Sequence, residues 1–438
     1  MARAKARQRP IFVLLHRPLW RSRNSGWNEE IHPLLVAADV EAVIAGHFHS
    51  MQRDPDRDGV QYHLVAVCGG MIDQHPLTGQ FQQLTFLNVR EDGEFAIHHQ
   101  PVGTTLPDDF ILSVDQDRVF RLKTMRRELS IRGTLPDPQQ GPVESTFTIE
   151  LTNPVDVPIQ ADLRLVDRPP GATVFGDSLW LSRTQQDIFN QFVTEADTPI
   201  QLVESFEPVV LAPGETIRRS ITVRCERQDQ PIPPAELWLR LTFTDSHDRD
   251  VPVIVRRRIP IARELELANS DWTQAYPVCA WVPSVYDTEE ANPTVRFFQR
   301  DDQLLIEVTV PDQTRSAYED ERAFADRVRD PMSDAVTLLI REESTVTTVM
   351  TEPFRSHTVW AVSPDGSARP SDRIRLDRVE TLPNAVWRAT LAVRNPNADF
   401  SINVGVADND DTYHTQWRWL APEASPLRVR LREPVGTR

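Results

Sequence analysis

Two histidines one residue apart, His47 and His49, follow the apolar run Val40 to Ala45 and the intervening Gly46. A third, His16, follows another apolar run, Ile11 to Leu15. Neutral imidazoles suit zinc, iron and similar divalent ions. In extended chain, residues i and i+2 point to one side, so His47 and His49 are expected to address one point. Gly46 permits close backbone approach there. Two side chains do not make a metal site, and His16 is the third ligand that the sequence supplies.

The elements around these residues read as an α/β layer. The runs "IFVLLH", "VEAVIAG" and "YHLVAVCGG" are predicted buried strands, and "WNEEIHPLLVAAD" a short helix with Asn28 as its cap. Strand, helix and strand at this spacing imply a parallel pair joined by a crossover. In an open parallel sheet, ligands gather beyond the carboxyl ends of strands, where all three histidines fall. "FQQLTFLNVREDGEFAIHHQPV" predicts a hairpin turning at Asp92-Gly93.

On "FVLLHRPLW" and "WNEEIHPLLVAADVEAVIAGHFHSMQR", residues 10 to 100 resemble the carboxyl-terminal part of the calcineurin-like metallophosphoesterases. The resemblance implies a hydrolase with two divalent ions of the Fe, Zn or Mn class. His16 and His47 would hold one ion and His49 the other. It places the Asp-x-His, Gly-Asp-x-x-Asp and Gly-Asn-His motifs of that family upstream of Met1. The expectation is therefore a truncated chain with a partial site, inactive alone, and a phosphoester substrate only if completed. No catalytic residue is identified. A mononuclear three-histidine site is the remaining metal alternative.

Other polar constellations read as structure. "DQH", Asp73 to His75, repeats the Asp-x-His spacing out of order and reads as a rim loop. "DPDRDG", Asp54 to Gly59, matches half a calcium loop, but Val65 stands where glutamate is required, so a hairpin turn is expected. Cys68, Cys225 and Cys279 form neither a disulfide framework nor a zinc spacing and read as buried thiols.

From residue 126 the pattern changes to short alternating runs split by Pro, Gly and Asn, which predicts β-sandwiches. "STFTIELTNPVDVPIQADLRL" and "VVLAPGETIRRSITV" resemble immunoglobulin-like modules. "QLLIEVTVPD", "SDAVTLLIR", "VWRATLAV", "INVGVADNDD" and "QWRWL" resemble the family 9 carbohydrate-binding module. Trp417 and Trp419 are i and i+2 on one strand, and aromatic faces stack on sugar rings. Core packing is the competing expectation for them. Asp408, Asp410 and Asp411 read as a solvated turn that could hold calcium. "YEDERAFADRVRDP" reads as a charged surface segment.

The expected architecture is multidomain. An incomplete α/β metallophosphoesterase layer occupies 1–105, with a linker at 106–125. An immunoglobulin-like sandwich follows at 126–262 and a carbohydrate-binding-module-like sandwich at 263–433. A chain of 438 residues with 40% hydrophobic and 26% charged content sustains such cores. A net charge of −16 opposes a nucleic-acid surface, and no apolar run reaches membrane-spanning length. Polysaccharide is the partner implied by the last domain. The domain order implies export, although no signal peptide is present.

Overall fold

The computed structural model describes residues 9–431, apart from 23–24, 69–74, 102–103, 126, 167–199, 205, 233, 268–270, 280–291, 313–332, 344, 364–366, 409–415 and 422–425. The chain is mostly β-sheet arranged in several sheets, with two α-helices among the described residues. Asp73, Asp410, Asp411 and the charged segment 318–331 lie outside the described residues.

The first layer contains β1 (Ile11–Leu15), α1 (His32–Ala37), β2 (Val40–Ala45), β3 (Gln52–Arg57) and β4 (Val60–Leu64). Its sheet order is β1-β2-β4-β3, with β1, β2 and β4 parallel and β3 antiparallel at one edge. The apolar strands are explained by two covered faces. Val43 and Ala45 meet Trp20, Trp27 and Leu35 on one side. Ala42 and Ile44 meet Ile97, Phe12 and Phe95 on the other. Inside the first cluster the Tyr62 hydroxyl accepts from Trp27 Nε1 at 3.2 Å and lies 2.7 Å from His32 Nδ1.

Three local expectations change. Asn28 does not cap the helix; it lies in a wide turn, Trp27–Ile31, entered through a left-handed Gly26, and α1 starts only at His32. The third apolar strand begins at Val60 and ends at Leu64. Residues 52–57 form a strand, so the hairpin turn expected over Asp54–Gly59 narrows to Asp58 and Gly59. This strand is an edge, and its Pro55 sits where the register with β4 slips, so the missing N–H costs no ladder bond. The turn to β4 uses Asp58 at φ 48° and Gly59 at φ 81°. Both are left-handed, as a tight hairpin turn requires, and the turn leaves no calcium loop.

The hairpin β5 (Gln83–Val89) and β6 (Phe95–Pro101) turns at Gly93 as expected and pairs β7 (Leu106–Pro107). α2 (Ser113–Lys123) follows. It sends Val119 and Leu122, with Met125 just beyond, into the second core, so segment 106–125 packs rather than merely spans.

The second unit is a two-sheet sandwich. Its elements are β8 (Leu129–Arg132), β9 (Leu135–Pro136), β10 (Val143–Thr152), β11 (Ile159–Val166), β12 (Ile200–Leu202), β13 (Val209–Leu211), β14 (Thr216–Cys225), β15 (Glu236–Thr244), β16 (Asp250–Arg258) and β17 (Ile261–Ala262). Sheets β12-β14-β10-β8 and β13-β11-β15-β16 enclose Phe147, Leu151, Leu163, Leu237 and Phe243.

The third unit is another sandwich, built on β18 (Glu264–Leu267), β19 (Tyr276–Pro277), β20 (Thr294–Arg300), β21 (Gln303–Pro311), β22 (Ala335–Glu342), β23 (Thr345–Thr351), β24 (Trp360–Val362), β25 (Ala368–Pro370), β26 (Ile374–Leu382), β27 (Val386–Arg394), β28 (Asp399–Asp408), β29 (Gln416–Trp419) and β30 (Leu427–Leu431). One sheet runs β18-β30-β28-β22-β23-β24-β25 with β29 also on β28, the other β19-β20-β21-β27-β26. Trp387, Phe297 and Ile306 are fully buried between them.

Candidate functional sites

The parallel register sets His16 and His47 side by side. β1 and β2 pair through Leu15 and Ala45, so both chains leave the sheet at the same level. The Gly46 N–H then donates to the His16 carbonyl at 3.1 Å. His47 Nδ1 stands 3.2 Å from His16 Nε2, with the rings nearly perpendicular at 75°. Burial, then the neighbouring Arg17, His16 and His49, hold the His47 pKa below its ordinary value. Proton loss at this imidazole is therefore favoured, as ligation of a cation requires.

His49 is placed differently from the expectation. His47 and His49 have φ of 74° and 55°, so the backbone here is left-handed, not extended, and simple alternation does not align them. Among the described residues, no His, Cys, Asp or Glu joins His16 and His47 to make a set of three ligand atoms within 4.8 Å of one another. Two nitrogens on one tetrahedral zinc at about 2.0–2.1 Å would stand about 3.3–3.4 Å apart. The His16–His47 separation is that of a hydrogen bond between the two rings, and as a distance it also fits one shared ion. It does not by itself fit a two-ion centre, which needs a bridging carboxylate.

Sequence reasoning missed the one three-ligand set present among the described residues, Asp115, Asp245 and His247. Both carboxylates are already engaged. Asp115 accepts from Arg118 Nη1 at 2.8 Å and Ser246 Oγ at 3.2 Å; Asp245 accepts from Arg249 Nε at 2.8 Å and the His247 N–H at 2.9 Å. Arg249 also donates to the Phe110 carbonyl at 2.7 Å and lies over the Phe110 ring. These contacts clasp α2 to the β15–β16 turn. Only a contact 131 residues apart could have revealed it, and local spacing contains no such signal.

Asp54, the first residue of the half calcium loop, is buried and accepts from Trp20 Nε1, from Arg21 Nη1 at 2.9 Å and from Gln52 Nε2 at 2.8 Å. His75 caps a short turn through its side chain, and burial pushes its pKa down to about 4. The thiols divide: Cys225 and Cys279 are buried, whereas Cys68 is exposed, contrary to expectation, because β4 has already ended at Leu64.

In the third unit, Trp417 and Trp419 lie on β29, opposite Ala407 and Gly405 of β28. The Trp417 side chain lies outside the described residues. Trp419 is half-buried. A Cβ built on Gly405 would lie 2.7 to 2.8 Å from three adjacent carbons of the Trp419 benzene ring. Near-equal distances place Gly405 under the ring face, not at its edge. Val404, Val406 and Leu420 point into the core, so Trp419 lies on the opposite face of this sheet, which it shares with the buried Thr337, Asn403 and Ala407.

No protein-family model matches the chain, and no curated protein matches it. Solved structures similar to it include a family 9 carbohydrate-binding module from Caldicellulosiruptor kristjanssonii in complex with cellotriose, at 9% identity and a TM-score of 0.28. That match covers 40% of this chain and 98% of the other. A family 9 module from the same organism in complex with glucose gives 9% identity, a TM-score of 0.27 and coverages of 40% and 99%. A putative carbohydrate-binding protein from Bacteroides uniformis gives 8% identity, a TM-score of 0.29 and coverages of 39% and 100%. At this level the likeness does not identify the chain. No helix among the described residues is long and apolar enough to cross a membrane.

Proposed function

We propose that this is a carbohydrate-binding protein acting through its last sandwich. The observation carrying this reading is Trp419, whose ring rests on Gly405 while the residue stays half-buried on the sheet face opposite the core. A ring backed by glycine is held in one orientation and costs little entropy when a pyranose stacks on it. The sequence resemblance to family 9 modules points the same way. The test is affinity electrophoresis of the full chain in gels containing cellulose derivatives, xylan or other soluble polysaccharides. Retardation that Trp419→Ala abolishes is expected; no retardation on any polysaccharide refutes the reading.

A second reading is supported by the 3.2 Å His16–His47 contact. These residues would share one divalent ion at the carboxyl edge of the parallel sheet, where the metallophosphoesterase resemblance also puts it. Such an ion would supply Lewis acidity; His16 and His47 would orient it, and the turn at Gly46 would hold both rings in reach. Elemental analysis after zinc loading is expected to give one bound ion, lost in His47→Ala. An unchanged content in that variant removes the assignment.

A further inference from the structure

The third unit carries a second aromatic surface, on the sheet that does not hold Trp419. Along β20, Val295 and Phe297 enter the core, so Arg296 and Phe298 stand on the opposite face. Trp272 joins them, because the Thr273 N–H donates to the Phe297 carbonyl at 2.9 Å and draws its segment along β20. The Trp272 and Phe298 ring centroids are 5.5 Å apart, with the planes at 33°, and Arg296 Cζ lies 4.9 Å over the indole. Both rings are half-buried, so each keeps part of its surface open.

Beside this aromatic pair the charges do not balance. Glu307 on β21, opposite Arg296, is 6% exposed, and its Oε1 serves two guanidiniums. Arg296 Nε stands 2.6 Å from it and Arg388 Nε, on β27, 3.3 Å. The neighbouring acids of β26 are engaged elsewhere: Glu380 by Arg378 at 2.6 Å and Asp377 by Arg375 at 2.9 Å. Asp271, next to Trp272 in the chain, pairs with neither Arg296 nor Arg388 among the described residues. One buried carboxylate thus meets two permanent cations. Among the described residues, their Nη groups donate to no protein atom.

We propose that this face binds a sugar ring bearing a carboxylate, the unit of a uronate-containing polysaccharide. The apolar C–H face of such a ring stacks on Trp272 and Phe298, and its carboxylate takes the unspent Nη groups of Arg296 and Arg388. A neutral sugar satisfies the rings but leaves the surplus guanidinium unanswered. The surface lies on the other sheet of the sandwich from Trp419 and Gly405, so it stands or falls apart from the reading given for them.

Titration calorimetry of the full chain tests it, with trimers of galacturonate and of mannuronate as probes. Their methyl esters are the controls, since they keep the ring and lose the charge. At least one trimer is expected to bind, with its ester about tenfold weaker or more. Arg388→Gln is expected to weaken the trimer by a similar factor and leaves Glu307 its bond from Arg296. Trp272→Ala is expected to abolish binding. A cooperative urea transition in each variant checks that it is folded. The proposal is overturned if neither trimer binds, if trimer and ester bind equally, or if both variants bind as the parent does.

Discussion

Trp419 and Gly405 show how a single missing side chain shapes a surface. Any Cβ at position 405 would enter the indole face, so the ring can lie on β28 only because glycine is there. Gly405→Ala is therefore expected to lift the ring and destabilise the sandwich by about 1–3 kcal/mol, the usual cost of overpacking. Tryptophan fluorescence during urea unfolding measures the loss, and polysaccharide retardation is expected to fall with it. A Gly405→Ala protein that matches the parent in both would mean that the ring does not depend on this seat. The pairing of His16 with His47 is also a residue-scale fact. Their types and their places after apolar runs were legible in the sequence, but the 3.2 Å contact depended on the β1–β2 register.

Among the elements, α2 is the one whose role the sequence concealed. Its segment was expected to be a linker, but its burial is not that of a spacer. Asp115 is 3% exposed and meets Ser246 and Arg118, while Val119 and Leu122 enter the second core. Asp115→Ala would strip the Ser246 N–H and the Arg118 guanidinium of a buried acceptor. The expected loss is about 1–3 kcal/mol, read as a lower urea midpoint at unchanged slope. Asp115→Asn keeps one acceptor oxygen and is expected to recover part of it. If alanine costs nothing, the clasp is ornamental. β3 teaches a related lesson. Its composition, Gln-Arg-Asp-Pro-Asp-Arg, opposes a strand by propensity, yet β4 offers a partner and the edge position tolerates Pro55.

At the scale of the molecule, the buried histidines tie stability to pH. His63 on β4 and His99 on β6 are buried, and desolvation pushes each pKa from 6.5 down to about 4. Their contribution is fully present above the unfolded value of 6.5. The unfolded chain takes up protons first, so stability falls as pH drops from 6.5 towards 4 and these groups add no further loss below that. The loss is on the order of 3 kcal/mol per histidine. Thermal melting of the full chain at pH 7 and at pH 4.5 is expected to show the first layer loosening at the lower pH, with His63→Gln reducing the shift. Equal melting profiles at both values would contradict it. The units are also linked across their borders: Arg263, just after β17, is buried and donates to the Ile232 carbonyl at 2.7 Å and to the Leu420 carbonyl at 3.3 Å. One guanidinium thus joins the two sandwiches.

Local sequence determined much of this protein. Continuous apolar runs required a sheet covered on both faces, and alternating runs with turn residues required sandwiches. Asp92-Gly93 required a hairpin, and His16, His47, His49, Trp417 and Trp419 stood out by type and spacing. These signals are legible because side-chain period and turn chemistry act between near neighbours. Tertiary structure alone decided which of those residues meet. Register brought His16 to His47, the left-handed backbone at His47 and His49 removed their alternation, and Gly405 received Trp419 from a strand beyond a connecting segment. Such contacts depend on packing between distant segments, and no periodicity along the chain encodes them.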